Sequence, residues 1–350
     1  MAIKDAALID KNFSIPDGIN KEGLRFYDAR ELDIYGLSYV DGLFRRMPED
    51  AAKSVSENTF IISTESAGGR VKFKTNSKRI AIYAEYKSVS KVPNYSMTAT
   101  MGFDIYSGKR FVGVFVPPLS TQESLESEII LPFSDGVCRE YTIYFPVCAE
   151  IKRLLVGIDE SAEMSGADEY SLKNPVVFYG SSITQGSCAS HPANTYENIL
   201  CRELDIDYIN LGFWGNALGE EAMARYIAKL PSSLFVYDYD YNAPNAAHLE
   251  ATHERMFKII REENKNLPII IMTAVIPYPK DEDIKRCEVI RKTYENAIAA
   301  GDKNVYFLSG ADILADVRDS ALADNIHPSD IGFCAMADAL APIIKRVLNL

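Results

Sequence analysis

The residue with the clearest chemical use is Ser182, which lies in the small-residue run 180–186 (Gly-Ser-Ser-Ile-Thr-Gln-Gly) directly after the apolar segment 176–179. A serine in a turn between a strand and a helix can present its hydroxyl at the edge of a sheet. The N–H groups at the start of the helix can then stabilise an oxyanion. Serine-rich turns also occur as ordinary helix caps. Ser182 is therefore a candidate nucleophile, and a helix cap or a plain turn is the alternative.

A candidate base stands near the end of the chain, where Asp324 precedes His327 by three residues. A carboxylate at this spacing can accept the Nδ1–H of the imidazole and leave Nε2 free to take a proton. The alternative is a solvent-exposed histidine in a loop before a helix. Of the other histidines, His191 lies in a polar loop, and His248 and His253 lie roughly 140° apart around a predicted helix, a poor metal pair. His327 is thus the best candidate for a base.

Two further positions suit an oxyanion. Gly215 follows the apolar run 208–211, and Asn242 follows the run 234–237. A glycine lets its N–H approach a ligand closely, and an asparagine amide donates to developing negative charge. Trp214, the single tryptophan, lies beside Gly215 and is a candidate for lining the substrate pocket, with core packing as the alternative.

The elements that carry these residues alternate between strand and helix. Apolar runs at 176–179, 208–211, 234–237, 269–275 and 305–308 predict buried strands, and helical patterns lie at 196–204, 220–230, 246–264, 283–300 and 331–348. This alternation predicts a parallel sheet covered by helices on both faces. Ligands of such sheets bind beyond the carboxyl ends of the strands, where the candidate residues are found.

The first half of the chain has a different pattern. Segments 59–64 and 70–75 flank a turn at 66–69 and predict a hairpin, and further strands are predicted at 79–86, 97–106, 110–116, 128–132, 140–147 and 151–158. Many strands at short intervals indicate a β-sandwich. We expect the first 50 or so residues to be irregular and to wrap this sandwich. The polar segment 161–174 predicts a boundary between domains at 1–165 and 175–350.

Composition excludes several classes of function. The 350 residues contain 37 Lys and Arg against 49 Asp and Glu, a net charge of −12. Such an acidic protein lacks the cationic surface that attracts nucleic acid or anionic membranes, so neither is expected as a partner. The most apolar run, 269–276, is far shorter than the ~20 residues of a membrane-spanning helix.

The cysteines and the first residues bear on location. Six cysteines are scattered along the chain without paired spacing, at positions 138, 148, 188, 201, 287 and 334. We expect buried free thiols, and the first five residues lack the apolar core of a secretory signal. Both features favour the cytoplasm. Cys188, close after Ser182, is interpreted as an incidental thiol because no base is assigned to it.

On these motifs, residues 175–350 resemble the SGNH (GDSL-type) hydrolase superfamily, a three-layer α/β/α, flavodoxin-like fold of esterases and acylhydrolases. The nucleophile run, then Gly215, Asn242 and the Asp-x-x-His motif follow in the family's order. The resemblance implies that Ser182 is the nucleophile, His327 the general base and Asp324 its orienter. It also implies that the oxyanion is bound by the N–H groups of Ser182 and Gly215 and by the Asn242 amide.

The sequence departs from the family pattern at two places. Ser181 stands where the family usually has aspartate, and residues 238–242 read Asp-Tyr-Asp-Tyr-Asn in place of Gly-x-Asn-Asp. The whole plan, a β-sandwich followed by the hydrolase fold, is similar to bacterial members that are linked to the deacylation of sugars.

The implied activity is that of a serine esterase that removes short acyl groups from a carbohydrate or other small polyol, and acetyl is the acyl group we expect. No metal or organic cofactor is needed. The alternatives are an acyltransferase with the same residues and a non-catalytic glycan-binding protein. The sequence leaves the oligomeric state open, including a homo-oligomer. Because the residues assigned to bond making lie between Ser182 and His327, we expect the N-terminal domain to shape the substrate and not the chemistry.

Overall fold

The computed structural model describes residues 5–133 and 135–350. The strands of the N-terminal part are β1 (Leu24–Asp28), β2 (Asp33–Tyr35), β3 (Ser38–Val40), β4 (Leu43–Arg45), β5 (Arg70–Thr75), β6 (Arg79–Val89), β7 (Phe103–Ser107), β8 (Arg110–Phe115), β9 (Ser124–Ile130), β10 (Arg139–Tyr144), β11 (Ala149–Asp159) and β12 (Met164–Ser165). Its α-helices are α1 (Glu49–Val55), α2 (Glu57–Ile62) and α3 (Met97–Met101).

The C-terminal part alternates strands with helices. Its strands are β13 (Val176–Gly180), β14 (Tyr208–Gly212), β15 (Leu234–Asp238), β16 (Ile269–Met272) and β17 (Val305–Leu308). Its helices are α4 (Ser182–Gln185), α5 (Tyr196–Leu204), α6 (Glu221–Ala228), α7 (Ala246–Glu263), α8 (Asp281–Ala299), α9 (Gly310–Ile313) and α10 (Asp330–Leu348).

The strands of the C-terminal part form a parallel sheet in the order β14-β13-β15-β16-β17. After β13 the chain adds β14 on one side of it and then β15 on the other, so the strand order reverses between β13 and β15. The carboxyl ends of these two strands therefore border the switch point where ligands bind in flavodoxin-like sheets. Side chains of β13 alternate between two cores, with Val177 and Tyr179 in one and Val176 and Phe178 in the other. The predicted three-layer α/β/α architecture and its strands are confirmed.

The N-terminal part is a sandwich of two antiparallel sheets. One sheet has the order β1-β11-β6-β9, and the other has the order β12-β5-β10-β7-β8. Strand β2 also pairs with β5 in the second sheet. Their facing side chains form one core, to which Phe73, Ile82, Phe103, Ile143 and Val156 contribute fully buried groups. The predicted sandwich is confirmed, and the first 50 residues supply strands to both sheets where we expected irregular structure.

Two strand predictions in this part are wrong. Residues 59–64 fall mostly in helix α2, because the Ser56 hydroxyl accepts the N–H of Thr59 and caps the helix while Ile62 packs into the core of the parallel sheet. The first half of segment 97–106 is helix α3, capped in the same way by Ser96. Local capping and long-range burial thus override the β propensity of these apolar runs.

Buried arginines join the two parts. Arg46 donates to the carbonyl oxygens of Ile62 and Gly212, at 2.7 and 2.5 Å. Arg70 donates to Asp207 at 2.5 Å and to the carbonyl of Tyr208 at 3.0 Å. A guanidinium loses much hydration when buried, so these bonds specify how the two parts dock.

The cysteines are free thiols, as expected, but they are not all buried. Cys148 and Cys201 are buried, whereas Cys138 and Cys334 are exposed. In the part of the chain that the structure describes, no helix combines the length and apolar character of a membrane crossing.

Candidate active site

Ser182 lies at the first position of α4, directly beyond the carboxyl end of β13. The hydroxyl of Ser181 caps the helix by accepting the N–H of Ile183 at 3.1 Å. A side chain at Gly180 would collide with the Asp238 carbonyl and with Thr184, so only glycine lets the turn pack this closely on β15. The cap at Ser181 leaves the Ser182 hydroxyl free for a different contact.

That contact is His327. Ser182 Oγ lies 2.9 Å from His327 Nε2, and His327 Nδ1 lies 2.8 Å from Asp324 Oδ2. The three residues therefore form one hydrogen-bonded chain across 145 positions of sequence. The imidazole can accept the serine proton at Nε2 while the carboxylate holds its other nitrogen, the arrangement required for nucleophilic attack by serine.

Asp324 is held as a carboxylate. Partial burial opposes its ionisation, but the backbone N–H groups of His327 and Ile326, each 2.7 Å from Oδ1, and the His327 ring outweigh that effect and lower the pKa of Asp324 to about 2. Hydrogen bonds to the charged form stabilise it. Above pH 4 the orienting group therefore stays negative.

A loop of the N-terminal part reaches this chain of hydrogen bonds. Asn94 Nδ2 donates to Asp324 Oδ2 at 2.5 Å, and the ring of Tyr95 meets the His327 ring edge-on at a centroid distance of 5.9 Å. The Tyr95 hydroxyl donates to Ser187 at 2.5 Å. The expectation that the first half takes no part in the chemistry is therefore incomplete. No local motif marks Asn94, because its contact spans 230 positions of sequence.

We predict that Asn94→Ala lowers kcat about 10- to 150-fold and leaves KM nearly unchanged, because a lost hydrogen bond to a charged group costs about 1.5–3 kcal/mol. The Asp324 carboxylate would then be oriented by fewer donors while the substrate contacts persist. Steady-state kinetics on a small activated ester measure both constants. Asn20→Ala, an exposed asparagine remote in sequence, is the control, and equal kcat values in the two variants would contradict the prediction.

The candidate oxyanion donors follow the two neighbouring strands. Gly215 occupies a turn in which Asn216 N–H donates to the Phe213 carbonyl at 2.8 Å, and its φ of 74° favours glycine. Asn242 lies in the loop after β15, and its Oδ1 accepts the N–H of Ala217 at 3.1 Å. This bond assigns the amide oxygen, so Nδ2 is the group left to donate to a ligand.

Trp214 is not a core residue. The residue is 37% exposed, and its indole N–H donates to Glu65 Oε2 at 3.0 Å. Gln185 donates to the same oxygen at 2.5 Å. Glu65 belongs to the N-terminal part, so a buried carboxylate from one part holds the exposed aromatic side chain of the other beside Gly215.

A buried carboxyl lies next to the turn that carries Ser182. Asp238, at the end of β15, is 5% exposed and lies within 3.5 Å of the Thr184 and Tyr196 hydroxyls. Burial, together with the charge of Asp240, raises the pKa of Asp238 to about 8. Desolvation disfavours the charged form, so this side chain is protonated at neutral pH.

We predict that Asp238→Asn stabilises the protein more at pH 8 than at pH 5, by about 1–3 kcal/mol of unfolding free energy. Between the unfolded pKa of 3.8 and the folded value of about 8, the unfolded chain releases a proton that the folded chain keeps. Stability therefore falls as pH rises, and a neutral amide removes this dependence. Urea unfolding at both pH values tests the prediction, with Asp338→Asn, at an exposed position, as the control. Equal changes in unfolding free energy between pH 5 and pH 8 in the two variants would contradict it.

Comparison with known proteins bears on both parts of the chain. Residues 173–345 match the GDSL-like lipase/acylhydrolase family, and residues 24–164 match the N-terminus of SGNH hydrolase-type esterases. No curated protein matches the sequence.

Solved structures share the two-part layout. A protein from Bacteroides ovatus described as a GDSL-like lipase is 25% identical with a TM-score of 0.84, over 93% of this chain and 98% of that one. The salicylyl-acyltransferase SsfX3 of a tetracycline biosynthetic pathway is 20% identical with a TM-score of 0.75, over 92% and 98%. An acetyl xylan esterase from Butyrivibrio proteoclasticus is 14% identical with a TM-score of 0.59, over 93% and 99%.

The family matches and the site geometry agree. The matched region 173–345 contains Ser182, Asp324 and His327, and the other matched region contains the loop that contacts them. This chain therefore belongs to the GDSL-like (SGNH) acylhydrolase family of ester-hydrolysing enzymes, in the form that carries an N-terminal β-sandwich.

Proposed function

We propose that this protein is a serine esterase that removes short acyl groups from a carbohydrate or other small polyol through an acyl-enzyme on Ser182. Acetyl is the acyl group that we propose. The observation that carries the proposal is the hydrogen-bonded chain from Ser182 through His327 to Asp324 at the switch point of the sheet. The fold shared with an acetyl xylan esterase is consistent with it.

In the proposed reaction His327 takes the Ser182 proton as Oγ attacks the ester carbonyl. The N–H groups of Ser182 and Gly215 and the Asn242 amide stabilise the oxyanion, and the imidazolium then protonates the leaving alcohol. Water, deprotonated by the same imidazole, attacks the acyl-enzyme and releases the acid. Asp324 stays charged throughout and stabilises the imidazolium.

The sugar part of the proposal rests on Trp214. Its exposed ring, fixed by Glu65, offers an apolar face beside the candidate oxyanion residue Gly215. An aromatic ring held in place packs against a ligand at little entropic cost.

The test is a panel of p-nitrophenyl esters of increasing acyl length, followed by acetylated oligosaccharides, with Ser182→Ala as the blank. We expect kcat/KM to be highest for acetate and to fall with acyl length, and free acetate to appear from the oligosaccharides. A preference for long acyl chains, or hydrolysis by the blank, would contradict the proposal.

A second candidate activity is acyl transfer to a bound alcohol, because the same two-part fold occurs in a salicylyl-acyltransferase. Both reactions share the acyl-enzyme and differ in whether water or an alcohol attacks it. Product analysis in the presence of glycerol and simple sugars separates them. Ester products in excess of free acid would favour the transferase.

A further inference from the structure

A thiol lies beside the catalytic hydrogen bonds and takes no part in the proposed reaction. Cys188 Sγ is 3.7 Å from Asp324 Oδ2, the same oxygen that lies 2.8 Å from His327 Nδ1. Thiol, carboxylate and imidazole each place one donor atom within 4.8 Å of the other two. All three side chains are partly exposed, so the cluster is accessible from solvent.

The position of the thiol is set by the backbone. Cys188 has a φ of 68°, in the left-handed region that residues with a side chain seldom adopt. Its Sγ also lies 3.5 Å from Asn94 Nδ2 and 3.8 Å from the Asn94 carbonyl oxygen.

We propose that Cys188, Asp324 and His327 form an inhibitory binding site for zinc or a similar thiophilic divalent cation. Thiolate, carboxylate and imidazole are the ligands that Zn²⁺ prefers, and bond lengths of about 2.0–2.3 Å place neighbouring ligand atoms about 3.3–3.8 Å apart in a tetrahedral site. The Cys188–Asp324 distance already falls in this range. The Asp324–His327 distance must lengthen by about half an ångström, and a water takes the fourth position.

Binding at this site opposes catalysis, and the inference rests on the proposed function in this respect. The cation displaces the thiol proton, which passes to solvent, and takes the sulfur lone pair. At the neutral His327 ring it takes the lone pair of Nδ1, and the one ring proton moves from Nδ1 to Nε2 through solvent. The hydrogen bond between His327 and Asp324 is then lost, and a ring that binds the cation at Nδ1 and carries its proton on Nε2 cannot accept the proton of Ser182. We expect reversible loss of ester hydrolysis that a chelator restores.

The test compares metal binding with turnover in the full-length protein. Zn²⁺ is titrated into the hydrolysis assay for the wild type, Cys188→Ser, and Cys334→Ser as the matched exposed-thiol control. We expect Cys188→Ser to hydrolyse esters normally and to need at least tenfold more Zn²⁺ for half inhibition, and Cys334→Ser to respond like the wild type. Equal sensitivity in all three proteins would overturn the proposal.

Binding is also measured without turnover. In Ser182→Ala, Cd²⁺ should produce an ultraviolet thiolate-to-metal charge-transfer band that is lost in Ser182→Ala/Cys188→Ser and kept in Ser182→Ala/Cys334→Ser. Absence of the band, or its persistence without Cys188, overturns the proposal whatever the activity. If the band forms as expected but the wild type hydrolyses no ester, the metal site stands and the proposed function fails. Cys188→Ala serves if the serine variant does not fold.

Discussion

Ser182→Ala is expected to lower kcat by a factor on the order of 10⁴ to 10⁶ while the protein stays folded. Without Oγ no acyl-enzyme forms, and what is left is the binding of the ester by the oxyanion donors. His327→Ala should cost about as much, because residues that act as a unit are not additive. Kinetics on an activated acetate ester measure the loss, and circular dichroism checks the fold.

A fluorophosphonate probe locates the nucleophile independently. We expect labelling at Ser182 alone in the wild type, and none in Ser182→Ala. The matched control is Ser187→Ala, which removes a buried hydroxyl five residues after Ser182 and, within the described residues, its side-chain bond to Tyr95. It should lose less than about tenfold in kcat, the usual cost of one hydrogen bond. Label on Ser181 or Ser187 would assign the nucleophile elsewhere.

Asp324→Asn is expected to lower kcat by a factor on the order of 10² to 10⁴ with little change in KM. Oδ1 accepts two backbone N–H groups, so an asparagine must place its oxygen there and its NH₂ group against His327 Nδ1. The imidazole then accepts at Nδ1 and carries its proton on Nε2. In that tautomer it cannot take the proton of Ser182.

The tautomer can be read directly. Nitrogen-15 chemical shifts of the His327 ring should show the proton on Nδ1 in the wild type and on Nε2 in the variant. Asp338→Asn, an exposed substitution on α10, should change neither the shifts nor kcat. A variant with the wild-type tautomer and a large loss of kcat would mean that Asp324 acts through its charge alone.

Much of the C-terminal part could be predicted because its signals are local. Each buried parallel strand is a continuous apolar run, and the helices between them carry their own periodicity, so the sheet and its carboxyl edge follow from short stretches of sequence. Ser182, Asp324 and His327 each stand next to such an element. For these residues to form their hydrogen bonds, the strands had only to be parallel and the connections between them to be right-handed crossovers, as is usual.

The contacts between the two parts were decided only by the tertiary structure. Asn94 meets Asp324 across 230 positions, and Glu65 meets Trp214 across 149. Neither asparagine nor glutamate differs locally from any polar loop residue. The same holds for residues 59–64, where a cap at Ser56 and the burial of Ile62 in the other part's core select helix over strand. Periodicity reports which face of an element is buried, but the partner of a polar side chain depends on how two separately formed cores dock.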